Sequence, residues 1–375
     1  MTRHERCAAA IAGRLADRPP RYMPGIACEV ASRILGRKAY GGTGSLHYAE
    51  ACAWMGGNDA HAEFEAKLYE DLADLGRALD LDVFRMPWRM TAKPAKRLDE
   101  LTFMYGDPRG KHSIYKYSPE TGDYGEVYSS ALPEPDIEEF EEHVFRMEGL
   151  IGSGTVGALQ DLDDHVQTCR RFADEFFVVC NGGDVGIGLS AERMMLLVVA
   201  PDVMARDLMV QARRAAVRAR KLALTPYPRV LIGGGDLAGN DGPMYSPKLF
   251  RQVVLPAYRW LMQELRPLGV HYVFRSDGVL WPIADMLFGE AAIPGYGEVD
   301  REVGMTVAAV RRKYPKLVLW GNFSSSFLAR ATAGEVRDEA RRIIDESGGT
   351  GYFHGCSNAI LRGTPVENVM AMFSA

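Results

Sequence analysis

None of the six cysteines, at positions 7, 28, 52, 169, 180 and 356, stands in a CxxC pair. That spacing fits reduced thiols, most of them packed as small apolar residues, better than a disulfide framework. No apolar run is long enough to span a bilayer, and the opening MTRHERCAAAIAGRLADRPP carries charges throughout, so neither a membrane segment nor a secretory leader is expected. A cytoplasmic location follows as the expectation. Strong charge of either sign is also missing: the formal net charge is −5, which points to neither nucleic acid nor a membrane surface as partner. The basic run ARRAAVRARK (212–221) then reads as the solvated face of a helix. There is no Ser/Gly or Pro-rich linker and no internal repeat, so residues 1–375 are expected to form one domain. No strand-like run is followed by GxGxxG, which argues against a nucleotide cofactor.

What is present is a recurring pattern. Short runs rich in Val, Ile, Leu, Phe and Tyr end in Gly and a polar residue: FFVVCNGGD, RVLIGGGD, VHYVFRSDG, LVLWGNFS and GYFHGC. Helical spacing separates them, as in SPKLFRQVVLPAYRWLMQEL, where Ser246 is the expected N-cap and Pro247 the first helical residue. Strands apolar along their whole length, alternating with helices, are the grammar of parallel α/β structure. The pattern predicts a single (β/α)8 TIM barrel, preceded by a helical segment over 1–78. An antiparallel hairpin is expected as an insertion at 104–130, where Tyr, Ile and Val alternate between turn residues. Barrel chemistry gathers at the C-terminal strand ends, which directs attention to Asp184, Asp236, Arg275, Asp277, Asn322, His354 and Cys356.

From residue 229 onward, GGGDLAGNDGPMYSPKLF, VFRSDG, LWGNFSSSF and GYFHGCSNAILRGTPVENV follow one another in the order found in the uroporphyrinogen decarboxylase superfamily, which the chain resembles. The resemblance implies the same single barrel. It also implies one of two chemistries. True decarboxylases of the family carry an Arg-Gln-Ala-Gly-Arg-Tyr segment near the N-terminus; here only Arg21-Tyr22-Met23-Pro24 is similar, so porphyrinogen decarboxylation (a lyase activity) is the alternative and not the first expectation. The other branch consists of methyltransferases that move a methyl group, in O-demethylation for example, to a corrinoid (cobalamin) protein or a thiol. The resemblance to it implies a zinc site from His-x-Cys after one strand and a Cys after the last. Cys356 matches the last position, whereas Arg275 and Asp277 stand where the first pair would be, and Arg cannot bind a metal.

Three readings of HGCSN (354–358) therefore stay open: a rearranged zinc site from His354, Cys356 and Glu298 together with Asp277, a metal-free substrate pocket, or a strand end without chemistry. In the pocket reading Asp236, Asp277 and His354 handle protons, while Arg275, Tyr22, Trp88 and Asn322 bind a small-molecule substrate. A catalytically silent barrel that only binds is the third functional class. A corrinoid protein is the expected macromolecular partner, and a homodimer the expected assembly.

Overall fold

A computed structural model describes residues 1–130, 135–154 and 162–375. The chain opens with helix α1 (Arg3–Ile11), closed by a Thr2/Glu5 capping box. Helices α2 (Cys28–Leu35), α3 (Thr43–Met55) and α4 (Asn58–Ala78) follow. Strands β1 (Lys96–Arg97), β2 (Thr102–Gly106), β3 (His112–Tyr117) and β4 (Tyr124–Ser129) then form an antiparallel sheet in that order. The register pairs Phe103 with Tyr115 and Tyr117 with Tyr124. One face of these strands packs Phe103, Tyr105 and Tyr124 with Ala51 of α3 into a core of its own. Alternating aromatic and polar residues thus act as the sequence pattern suggests, although the result is a meander with an added short strand and not one hairpin.

The parallel sheet comprises β5 (Cys180–Asp184), β6 (Val230–Gly234), β7 (His271–Arg275), β8 (Gly295–Gly297), β9 (Val318–Trp320) and β10 (Tyr352–Phe353), hydrogen-bonded in chain order. The α/β architecture with parallel strands agrees with the sequence pattern; closure into an eight-stranded barrel is a finer statement than this sheet makes. Strand β8 escapes the apolar-run signal because two of its three residues are glycine. Trp320 stacks flat on Phe353, ring centroids 3.6 Å apart, and both are wholly buried.

Helix α5 (Pro201–Ala223) buries Ala212, Ala215, Ala216 and Ala219. Arg218 on this helix corrects the reading of 212–221 as a solvated face: it is buried, donating from Nε to Asn181 O at 2.6 Å. In SPKLF, Ser246 Oγ accepts from Leu249 N at 3.2 Å, the expected cap. The helix then widens to a π turn at Phe250–Val254 before α6 (Leu255–Leu265), where Pro256 has no N–H to give.

Two compact units describe the packing: Met1–Pro20 with Pro133–Phe323 and Ile343–Ser357, and Arg21–Leu132 with Ser324–Arg342 and Asn358–Ala375. Each is assembled from three separated segments, so no linker marks a boundary in the sequence. All six cysteines are free thiols, and no helix among the described residues is long and apolar enough to cross a membrane.

Candidate active site

The parallel register aligns the strand ends. Arg275 pairs with Gly234 on one side and Gly297 on the other, and Asp184 pairs with Gly234. Gly234 makes this possible: its φ is +117°, and a Cβ there would lie 2.4 Å from Arg275 O. Just beyond these ends come Asp236, Asp277 and Glu298. Each offers a carboxylate oxygen, and the three oxygens lie within 4.8 Å of one another.

The turns are tied together. Ser276 Oγ accepts from Leu237 N at 3.0 Å, Tyr296 Oη donates to Ser276 O at 3.3 Å, and Val279 N donates to Gly239 O at 3.0 Å. Gly278, at φ +78°, lets the loop after β7 touch that after β6, since a Cβ would meet Gly239 O at 2.6 Å. These bonds position Asp236 and Asp277 from the backbone. Glu298 sits at φ +62°, an uncommon conformation for a non-glycine residue, of the kind that active sites often retain.

Arg275 organises the charge. Its Nη1 donates to Glu298 Oε1 at 2.8 Å, and its Nη2 lies 3.5 Å from Asp184 Oδ1. Glu298 is buried, Asp277 half-buried and Asp236 open to water at the rim. Partial desolvation by the surrounding protein, then the neighbouring Asp277, push the Asp236 carboxyl above its ordinary value, with Arg275 pulling the other way. Asp300 is also raised, by burial first, although its Oδ1 accepts from Glu302 N at 3.0 Å. Sequence reasoning passed over Asp300; its place two residues after Glu298 in GEVD was the available signal.

The expected grouping of His354, Cys356 and Glu298 is not what the structure brings together. Among the described residues, the one group of three metal-capable side chains this close is Asp236, Asp277 and Glu298. His354 is buried, its backbone N–H bound to Pro20 O at 2.7 Å and its Nδ1 3.2 Å from Tyr352 Oη. Cys356 is buried in a parallel bridge with Phe323.

Three residues expected to bind substrate are placed as follows. Asn322 is wholly buried: its Oδ1 accepts from Arg301 Nη1 (3.0 Å) and Val307 N (3.2 Å), and its Nδ2 donates to Val299 O and Met305 O, both at 2.9 Å. Every polar atom of that side chain serves the fold. Tyr22 is buried, its hydroxyl accepting from Arg85 Nη1 at 3.3 Å. Trp88 is 66% exposed and meets His47 edge-on.

Residues 239–375 match the uroporphyrinogen decarboxylase (URO-D) family model. Uroporphyrinogen decarboxylases from two strains of Thermus thermophilus are 30% identical over 125 residues, which is 33% of this chain and 35% of theirs. The match thus spans about a third of the length of these curated relatives. A methyltransferase from Methanosarcina mazei shares the fold, with a TM-score of 0.63 at 16% identity over 100% of this chain and 98% of the other.

Proposed function

We propose that the chain, whose residues 239–375 match the uroporphyrinogen decarboxylase family model, is an enzyme that moves a methyl group from a small methoxylated or methylated substrate to a corrinoid protein or a thiol, using the acidic cluster at the ends of β6, β7 and β8. The observation that carries this reading is the cluster itself, three carboxylate oxygens of Asp236, Asp277 and Glu298 within 4.8 Å of one another, in which partial desolvation and Asp277 raise the Asp236 carboxyl above its ordinary value. Breaking a methyl ether leaves its electron pair on oxygen, and that oxygen needs a proton. Asp236 donates it and is left as the carboxylate. Arg275, already bound to Glu298 and near Asp184, limits the repulsion that this new charge creates. The corrinoid, when bound, supplies the nucleophile that takes the methyl carbon. The full-length likeness to a methyltransferase supports the fold that this requires, and six consecutive parallel strands support reading it as a (β/α)8 barrel.

Zinc does not fit this cluster. Its donors are three carboxylates, one of them engaged by a guanidinium, where zinc sites favour thiolate and imidazole. His354 and Cys356 lie outside that group, so no step is assigned to a metal or to His354.

The test is direct. The purified protein would be given a panel of methoxylated phenols with reduced cobalamin, following methylcobalamin by its absorbance and the freed phenol by mass spectrometry. Turnover by the native chain and its loss in Asp236→Asn is the expected result. A panel that yields no methyl transfer, or an Asp236→Asn variant as active as the native chain, refutes the assignment. A second reading rests on the curated relatives, which are decarboxylases: the same Asp236 would protonate carbon after loss of CO2, and release of CO2 from carboxylated substrates distinguishes it. A binding protein without activity would give neither product.

A further inference from the structure

A cavity of about 450 Å³ lies wholly within the unit that contains α2 and α3. Its walls include three tyrosines, Tyr40, Tyr48 and Tyr117, the thiols of Cys28 and Cys52, and Glu29. None of these takes part in the reaction proposed above. Tyr48 and Tyr117 stack, centroids 4.3 Å apart and 9° from parallel. Tyr40 already receives one cation, with Lys67 Nζ 5.5 Å from its ring centroid.

Charge in this cavity is sparse. Burial pushes all three phenols up, Tyr48 to about 12, and likewise the Cys28 thiol, so these groups stay neutral at physiological pH. The hydroxyls of the lining serines are committed: Ser32 Oγ donates to Cys28 O at 2.6 Å, and Ser45 Oγ accepts from Cys28 N at 3.2 Å. Lys38 is exposed and therefore solvated. Glu29 remains. Its Oε1 is 3.4 Å from Arg362 Nε, while its Oε2 is buried and has no hydrogen-bond partner among the described residues.

A buried carboxylate oxygen without a donor is costly, and a positive charge nearby offsets part of that cost. Because Oε2 is closed to solvent, a cation that acts through space suits it better than one that must donate a hydrogen bond. Aromatic faces and soft thiols beside a single carboxylate are the surroundings in which a methylated ammonium is held, by cation–π attraction and apolar contact. We propose that this cavity is a second ligand site, for a small quaternary ammonium ion.

Choline and its neutral carbon isostere 3,3-dimethyl-1-butanol separate charge from shape. Isothermal titration of the full chain should show saturable binding of one choline per chain, with the alcohol at least about tenfold weaker, as one good cation–π contact with a carboxylate implies. Glu29→Gln should weaken choline about tenfold and leave the alcohol unchanged, since only the charge is removed. Tyr48→Leu should weaken choline as well, with circular dichroism confirming the fold; Glu29→Gln decides the matter if that variant unfolds. Asp236→Asn should leave choline binding intact, which keeps this site's fate separate from that of the methyl-transfer reading. No saturable choline binding by the native chain, or equal affinity for choline and the alcohol, overturns the proposal.

Discussion

Replacing Asn322 by alanine is expected to destabilise the protein by about 4 kcal/mol, and the structure shows how that figure arises. The side chain bonds three backbone groups, Val299 O, Met305 O and Val307 N, whose residues are wholly buried. Leaving each without this partner costs about 1 kcal/mol once neighbours relax, or about 3 kcal/mol together. Residue 322 also has φ +98°, a conformation that alanine accepts less readily than asparagine, which adds about 1 kcal/mol. Glycine relieves that last contribution and should cost about 3 kcal/mol. Urea unfolding followed by tryptophan fluorescence is a suitable assay, because the buried Trp320 lies two residues away. A loss below about 1 kcal/mol for alanine would refute the reasoning. Full stability with lost turnover would restore the substrate-binding role expected from the sequence.

Asp236→Asn has a signed pH dependence: the native carboxyl is raised above its ordinary 3.8, so the stability of its neutral form is present below that value and lost as pH rises through the raised one. The asparagine variant should therefore melt higher than the native chain at pH 7, with the gap narrowing as pH falls toward 3.8; a gap that does not change with pH would contradict this. Arg275→Met should cost about 3 kcal/mol by stranding the buried Glu298, and adding Glu298→Gln should recover most of it in a double-mutant cycle. Additive losses would show that the pair is not coupled. Cys356→Ala should leave the zinc content of the purified protein unchanged by elemental analysis, since Cys356 lies outside the carboxylate group; a stoichiometric fall would reinstate it as a ligand.

The parallel strands were legible because most lie within or just after runs of branched and aromatic residues followed by glycine, such as FFVVCNGG, RVLIGGG and LVLWG; β5 itself, CNGGD, and β8, GYG, carry little of that signal. The acidic strand ends were legible for the same reason, since a carboxylate after such a run has few places to go but the sheet's C-terminal edge. The roles of Asn322 and His354 were not. A strand-end amide that caps backbone and one that meets a ligand have the same local sequence, and only Val299, Met305 and Val307, brought in by folding, tell them apart. Tyr22 and Trp88 carried less information for a simpler reason: aromatic residues signal burial or contact, but not with what. The tyrosine-lined cavity had no signature, because residues 28–52 read only as two helices and Tyr117, which stacks on Tyr48, is brought in from the antiparallel sheet by folding.

The interleaving of the two units has a consequence for synthesis. The unit begun at Arg21 takes its final segment from Asn358–Ala375, where Ile360 bridges Ile26, Arg362 meets Glu29, and Asn368 Nδ2 donates to Leu328 O and Ala331 O. Helices α2–α4 pack with one another and α3 packs with β2–β4, but the unit is complete only once its last segment has been added. Vectorial folding, in which a body is finished while the rest is still being made, is denied to this unit until then. Until that segment arrives, Ile26, Glu29 and the carbonyls of Leu328 and Ala331 lack the partners they have in the finished protein.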